Sequence, residues 1–142
     1  MNFKTIATVI ILTSLNLFLW GCSTNQPPLE FTPPPQIIEK AIVMQLELKY
    51  DRVSKNLTTN KPQYKITNIK VDKIEPTVKF DLPTYHLEGK YQLRIKNDRR
   101  KSKKIASNFQ VDLQRQSSGQ TWRLITSSNY QQNIKYYSYK IQ

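Results

Sequence analysis

The sequence predicts an α+β fold, with one long N-terminal helix packed on a curved antiparallel sheet of about four to five strands. Between Gln36 and Leu57 apolar residues recur every three or four positions, whereas from Tyr64 onward they alternate with polar ones. The change of period marks a change of element. The only cysteine stands near the start of the chain, so no internal disulfide is available and apolar burial must hold the fold.

A charged start, Met1-Asn2-Phe3-Lys4, leads into an apolar run from Ile6 to Trp20 broken only by Thr8, Thr13, Ser14 and Asn16. That is the build of a signal peptide, assigned to residues 1–21. The run is shorter than the roughly 20 residues a helix needs to cross about 30 Å of hydrocarbon. It closes on Leu19-Trp20-Gly21-Cys22, which resembles the lipobox of bacterial lipoproteins. The resemblance implies cleavage between Gly21 and Cys22, a diacylglycerol on the Cys22 thiol, and attachment to a cell membrane on its extracytoplasmic side. Ser23 stands where lipoproteins kept in the inner membrane typically carry aspartate, which points to the outer membrane where the cell has one. Two or three buried acyl chains hold a protein firmly where one holds it only marginally.

Cleavage leaves 121 of the 142 residues, enough for one domain and a tether. Residues 22–35 supply the lipidated cysteine and the tether, with five prolines between Ser23 and Pro35. Extended at about 3.1 Å per residue, such a segment holds a domain up to roughly 40 Å from the bilayer.

The domain proper is expected over residues 36–128. Ile38, Ile42, Leu46, Tyr50, Val53 and Leu57 form the helical stripe, widened by Ile37, Ala41, Met44 and Leu48. Prolines open the helix, and Asn56 to Pro62 end it. Tyr64 and Ile66, then Ile69 and Val71, alternate with a change of parity near Asn68 that indicates a bulge. Val78, Phe80 and Leu82 make a short second run. Tyr85, Leu87, Gly89, Tyr91, Leu93 and Ile95 make the longest strand, with His86 to Lys96 on its polar face. Asn97 to Ser102 reads as a charged turn, followed by strands at Phe109–Leu113 and Trp122–Ile125 across a Gly119 turn. Short connections make neighbouring strands antiparallel. The Tyr-rich residues 129–142 suit either an edge strand or a loose tail.

The helix, the meander, the pattern Phe109-x-Val111-x-Leu113-x-Arg115 and the closing Trp122-Arg123-Leu124-Ile125 resemble NTF2-like and cystatin-like domains. The resemblance implies an aromatic of the last strand packed on the helix. It also implies either a scaffold in an envelope assembly or a small-ligand-binding or enzymatic pocket between helix and sheet. Only one helix precedes the strands, which argues against a deep cone. A subunit of a secretion or conjugation apparatus is a further alternative.

Charge is the most informative feature for function. Residues 22–88 carry nine Lys/Arg against eight Asp/Glu, and residues 89–142 carry twelve against two. Seven bases fall within eleven residues, Arg94, Lys96, Arg99, Arg100, Lys101, Lys103 and Lys104, opposed only by Asp98. Such a cluster attracts anionic lipid, a phosphorylated envelope polymer or an acidic protein, or else it is a solvated loop that keeps the chain soluble. Near an anionic bilayer each base contributes about 1 kcal/mol.

Catalysis has little to build on. His86 is the only histidine and is read as a surface residue; with Cys22 taken by lipid, no Cys/His zinc site can form. Asp72, Glu75, Asp81 and Glu88 lie among lysines and read as surface ion pairs, worth about 0–1 kcal/mol each. Glycine occurs only at 21, 89 and 119, which excludes phosphate loops and nucleophile elbows. Nucleic acid is disfavoured as a partner, because Tyr91 and Phe109 are expected in the core and export removes the chain from the genome. The sequence thus points to a non-enzymatic envelope lipoprotein without cofactor, metal or catalytic residue, presenting a basic hairpin to an anionic partner. Lipid and polybasic patch together would hold the domain flat on an anionic surface, or the patch would recruit an acidic subunit.

Overall fold

A computed structural model describes residues 26–55, 62–97, 100–130 and 133–142, with the backbone alone for 96–97, 100–103 and 130. After a single 3-10 turn at Leu29–Phe31, helix α1 spans Pro35–Val53. Five strands follow: β1 Gln63–Lys79, β2 Leu82–Asn97, β3 Arg100–Arg115, β4 Trp122–Tyr130 and β5 Asn133–Lys140. They form one antiparallel sheet in chain order. Among the described residues no helix is long and apolar enough to cross a membrane.

This corrects the expected α+β architecture of a long helix packed on a sheet. The protein is predominantly antiparallel sheet, with three strands of 16 or 17 residues and a single shorter helix of 19. The helix ends at Val53, which is 76% exposed, and fully buries only Ile38, Ala41 and Ile42. Its stripe is therefore seated in the core over two turns and only half-covered beyond them. The strands are longer than expected because pairing carries them through segments with no apolar alternation. Residues 100–107, read in part as a turn, pair with β2 as far as Asn97↔Arg100.

The turn before β2 also differs. Phe80 and Asp81 both have positive φ, 53° and 59°, as the tight two-residue hairpins with primed geometry require. The apparent run Val78-Phe80-Leu82 is thus split between the end of β1, a turn and the start of β2. Register shifts in β1 fall between Thr67 and Lys70 and between Val71 and Lys73, with Asn68 at φ 53°, where the change of parity indicated a bulge. Gly89 faces this bulge. A Cβ there would overlap the Lys70 carbonyl oxygen and come within 2.8 Å of the Phe109 ring, so only glycine permits the close approach.

The core lies on one face of the sheet. Tyr85, Leu113 and Leu124 make one fully buried row across β2, β3 and β4, and Leu87 opposite Val111 makes the next. Trp122, Tyr91, Leu93, Phe109, Ile66 and Ile141 complete it with the three helix residues. The tail is an ordered edge strand, and Ile141 N–H donates to the Trp122 carbonyl.

Residues 26–34 are docked against the sheet. Pro27 and Pro33 are buried, Tyr85 Oη donates to the Pro28 carbonyl oxygen at 2.8 Å, and the Arg115 guanidinium lies 4.5 Å from the centre of the Phe31 ring. Prolines carry little conformational freedom to lose, so a few such contacts suffice to hold the segment. It is a strap across the Tyr85–Arg115 end of the sheet.

Candidate functional site

The sheet face turned away from the apolar core is polar, because the alternation that buries Tyr85 to Leu93 puts His86 to Arg94 on the other side. Register lines these residues into rows across β1, β2 and β3. Glu75, His86 and Asp112 form one row, Lys73, Glu88 and Gln110 the next, then Lys70, Lys90 and Asn108, and finally Lys65, Arg94 and Lys104. The face is graded from acidic groups near the Phe80 turn to unopposed cations near the β2–β3 tip.

At the acidic end His86 lies between two carboxylates. Its Nδ1 is 2.6 Å from Asp112 Oδ1 and its Nε2 is 3.0 Å from Glu88 Oε1. The Asp112 hydrogen bond, helped by Glu88, raises the His86 pKa above its ordinary value against partial desolvation. The Glu88 carboxyl is correspondingly lowered, first by its bond to His86 and then by Lys73. Lys79 Nζ donates to the second Asp112 oxygen, while Lys73 Nζ lies 2.9 Å from Glu75 and 3.8 Å from Glu88. Each carboxylate already accepts from a cation. The arrangement is an ion-pair lattice, with no unengaged base among Glu75, Glu88 and Asp112.

Glu75, His86 and Glu88 do offer three donor atoms within 4.8 Å of one another, the densest metal-ligand set among the described residues. The Lys73 ammonium occupies the space between both glutamates, so a metal ion would have to displace it. That set holds a cation already.

At the basic end Lys65, Arg94 and Lys104 stand side by side on three strands, all exposed, with exposed Lys90 two double steps along β2. No ion pair joins these four to a carboxylate among the described residues. Between them lie Thr67, Gln92, Ala106 and Asn108, none of them a large apolar group.

Of the residues singled out from sequence, Arg94 and Lys104 are brought opposite each other. Lys96, Arg100, Lys101 and Lys103 are placed by backbone only, Lys103 opposite Ile95 and Arg100 opposite Asn97. Gly21, Cys22 and Arg99 lie outside the described residues. Sequence reasoning missed Lys65 and Lys90 as neighbours of the cluster and Asp112 as the partner of His86. The only signal for these is strand register, which a single chain read linearly does not display.

A cleft of about 260 Å³ opens where β3 and β4 part, since they pair only over Asp112–Arg115 with Trp122–Ile125. Gln45 and Arg52 of α1 flank it, and Gln45 Nε2 donates to the Gln110 carbonyl oxygen at 2.9 Å. Thr126 Oγ1 on its wall is buried without a hydrogen-bond partner among the described residues. The cleft is an open notch at the sheet rim, whereas the helix–sheet interface is filled by the apolar core. No family model, curated protein or solved structure matches this chain.

Proposed function

We propose that the protein is a membrane-anchored envelope lipoprotein, lipidated at Cys22 after cleavage at Gly21, that serves as a non-enzymatic binding or assembly module. It is held on the extracytoplasmic side of a cell membrane, the outer membrane where there is one, and presents its basic surface to an anionic partner. The supporting observation is the row Lys65, Arg94 and Lys104, three exposed cations on adjacent strands with no carboxylate between them among the described residues. Cations on strands about 4.8 Å apart raise each other's energy, and an anion relieves that repulsion.

Two variants test the two halves of the reading. Cys22→Ser should leave the chain unacylated and shift it from the membrane to the soluble fraction; unchanged acylation and fractionation would refute the anchor. Replacing Arg94, Lys96, Arg99, Arg100, Lys101, Lys103 and Lys104 by Gln should abolish salt-dependent retention on a phosphocellulose matrix. Retention equal to that of the native chain would reduce the cluster to a solubilising loop.

A further inference from the structure

The strap and the basic row stand at opposite ends and on opposite faces of the sheet. The strap is held by Tyr85 and lies against Arg115, while the row crosses β2 at Arg94. Nine residue steps along β2 carry the chain from Tyr85 to Arg94, about 30 Å at some 3.3 Å per step. Tyr85 faces the core and Arg94 faces away from it. Only residues 23–25 lie between Cys22 and the first described residue of the strap, a span of at most about 14 Å.

Resting on the lipoprotein reading above, we infer that the row does not lie on the bilayer that holds the lipid. The face around Lys65, Lys90, Arg94 and Lys104, some 30 Å along β2 from the strap and turned away from it, takes a phosphate-bearing polymer. Protein partners bind through a desolvated centre of aromatic and aliphatic anchors, and Thr67, Gln92, Ala106 and Asn108 offer none. A ligand that needs only regularly spaced negative charge fits a flat strip of lysine and arginine on a polar ground. Nucleic acid would add base stacking, but Tyr91 and Phe109 are buried on the opposite face. This replaces attachment flat on one surface with attachment at two levels: lipid at the strap end, polymer at the far face.

The acylated full-length chain, reconstituted in neutral phosphatidylcholine vesicles and in vesicles that also contain anionic phosphatidylglycerol, is titrated with fluorescent long-chain polyphosphate. At physiological salt the Debye length is about 8 Å, so a face about 30 Å along the strand from the strap, and turned away from it, is insensitive to vesicle charge. The expected result is equal affinity on both vesicles. Affinity should fall at least about tenfold when Lys65, Lys90, Arg94 and Lys104 are all changed to Gln, with an unchanged circular dichroism spectrum. Binding that disappears on anionic vesicles alone would overturn the proposal by placing the row on the bilayer. Absent binding by the native chain, equal binding by the variant, or a preference for duplex DNA would overturn it too. Acylation is read separately by mass: an unmodified chain would sink the anchoring reading, and its polyphosphate affinity would still report on the face.

Discussion

His86 and Asp112 stand directly opposite each other on β2 and β3, with Nδ1 of one 2.6 Å from Oδ1 of the other. Because Glu88 receives the second ring nitrogen, the imidazolium form satisfies both carboxylates and neutral imidazole satisfies only one. The pair therefore couples folding to pH. The folded-state pKa of His86 lies above 6.5, so its contribution is full below pH 6.5 and is lost as pH rises through the raised value. Glu88 acts in the opposite sense, contributing above pH 4.5 and losing that contribution as pH falls through its lowered value. The melting temperature should decline modestly from about pH 6.5 upward, and His86→Gln should flatten that decline. An unchanged slope in the variant would show that His86 is not its source.

Tyr85→Phe removes the hydroxyl that holds the Pro28 carbonyl and leaves the buried ring in place. A hydrogen bond of this kind contributes about 0.5–1.5 kcal/mol. Chymotrypsin should then cut at Leu29 or Phe31 markedly faster than in the native chain, at nearly unchanged midpoint of urea unfolding. Equal cleavage rates would mean that Pro27, Pro33 and the Arg115–Phe31 contact hold the strap without the hydroxyl.

Gly89→Ala pushes a methyl group into the Lys70 carbonyl and the Phe109 ring, a backbone contact that rotamer changes cannot relieve. The expected cost is about 1–3 kcal/mol, read as a lower urea midpoint at constant slope. A neutral result would mean that the β1 bulge shifts freely.

Zinc should leave the native melting temperature unchanged, since the Lys73 ammonium sits between Glu75 and Glu88. Lys73→Met vacates that position without a new charge, and zinc should raise the melting temperature of this variant by binding the folded state. Stabilisation of the native chain at equal zinc would show that Lys73 gives way to metal.

The central strands were legible in the sequence where burial imposed alternation, as from Tyr85 to Ile95, whose odd residues line the core. The first half of β3 was not, because among residues 100–107 only Ile105 is large and apolar; pairing with β2 makes that segment a strand. Phe80 misled by its hydrophobicity. It fits an alternating run, yet it occupies a turn at φ 53°, 63% exposed, where its ring meets Tyr136 edge-on at 5.4 Å. The basic cluster was visible as composition, but its geometry depends on β1, thirty residues upstream of the tip, and Asp112 became a partner of His86 only through register. The prolines announced extended chain and were silent on what it would dock against.

The brief pairing of β3 with β4 gives the sheet a seam. Beyond Ile125 the remainder of β4 has only β5 beside it, and a two-stranded ribbon is marginal in water. Amides of Thr126 to Ser128 should therefore exchange with solvent long before those of Leu87 or Leu113, which have strand neighbours on both sides. The molecule would come undone from this free corner inward, like a page lifting from its binding, while the spine of β1, β2 and β3 still held.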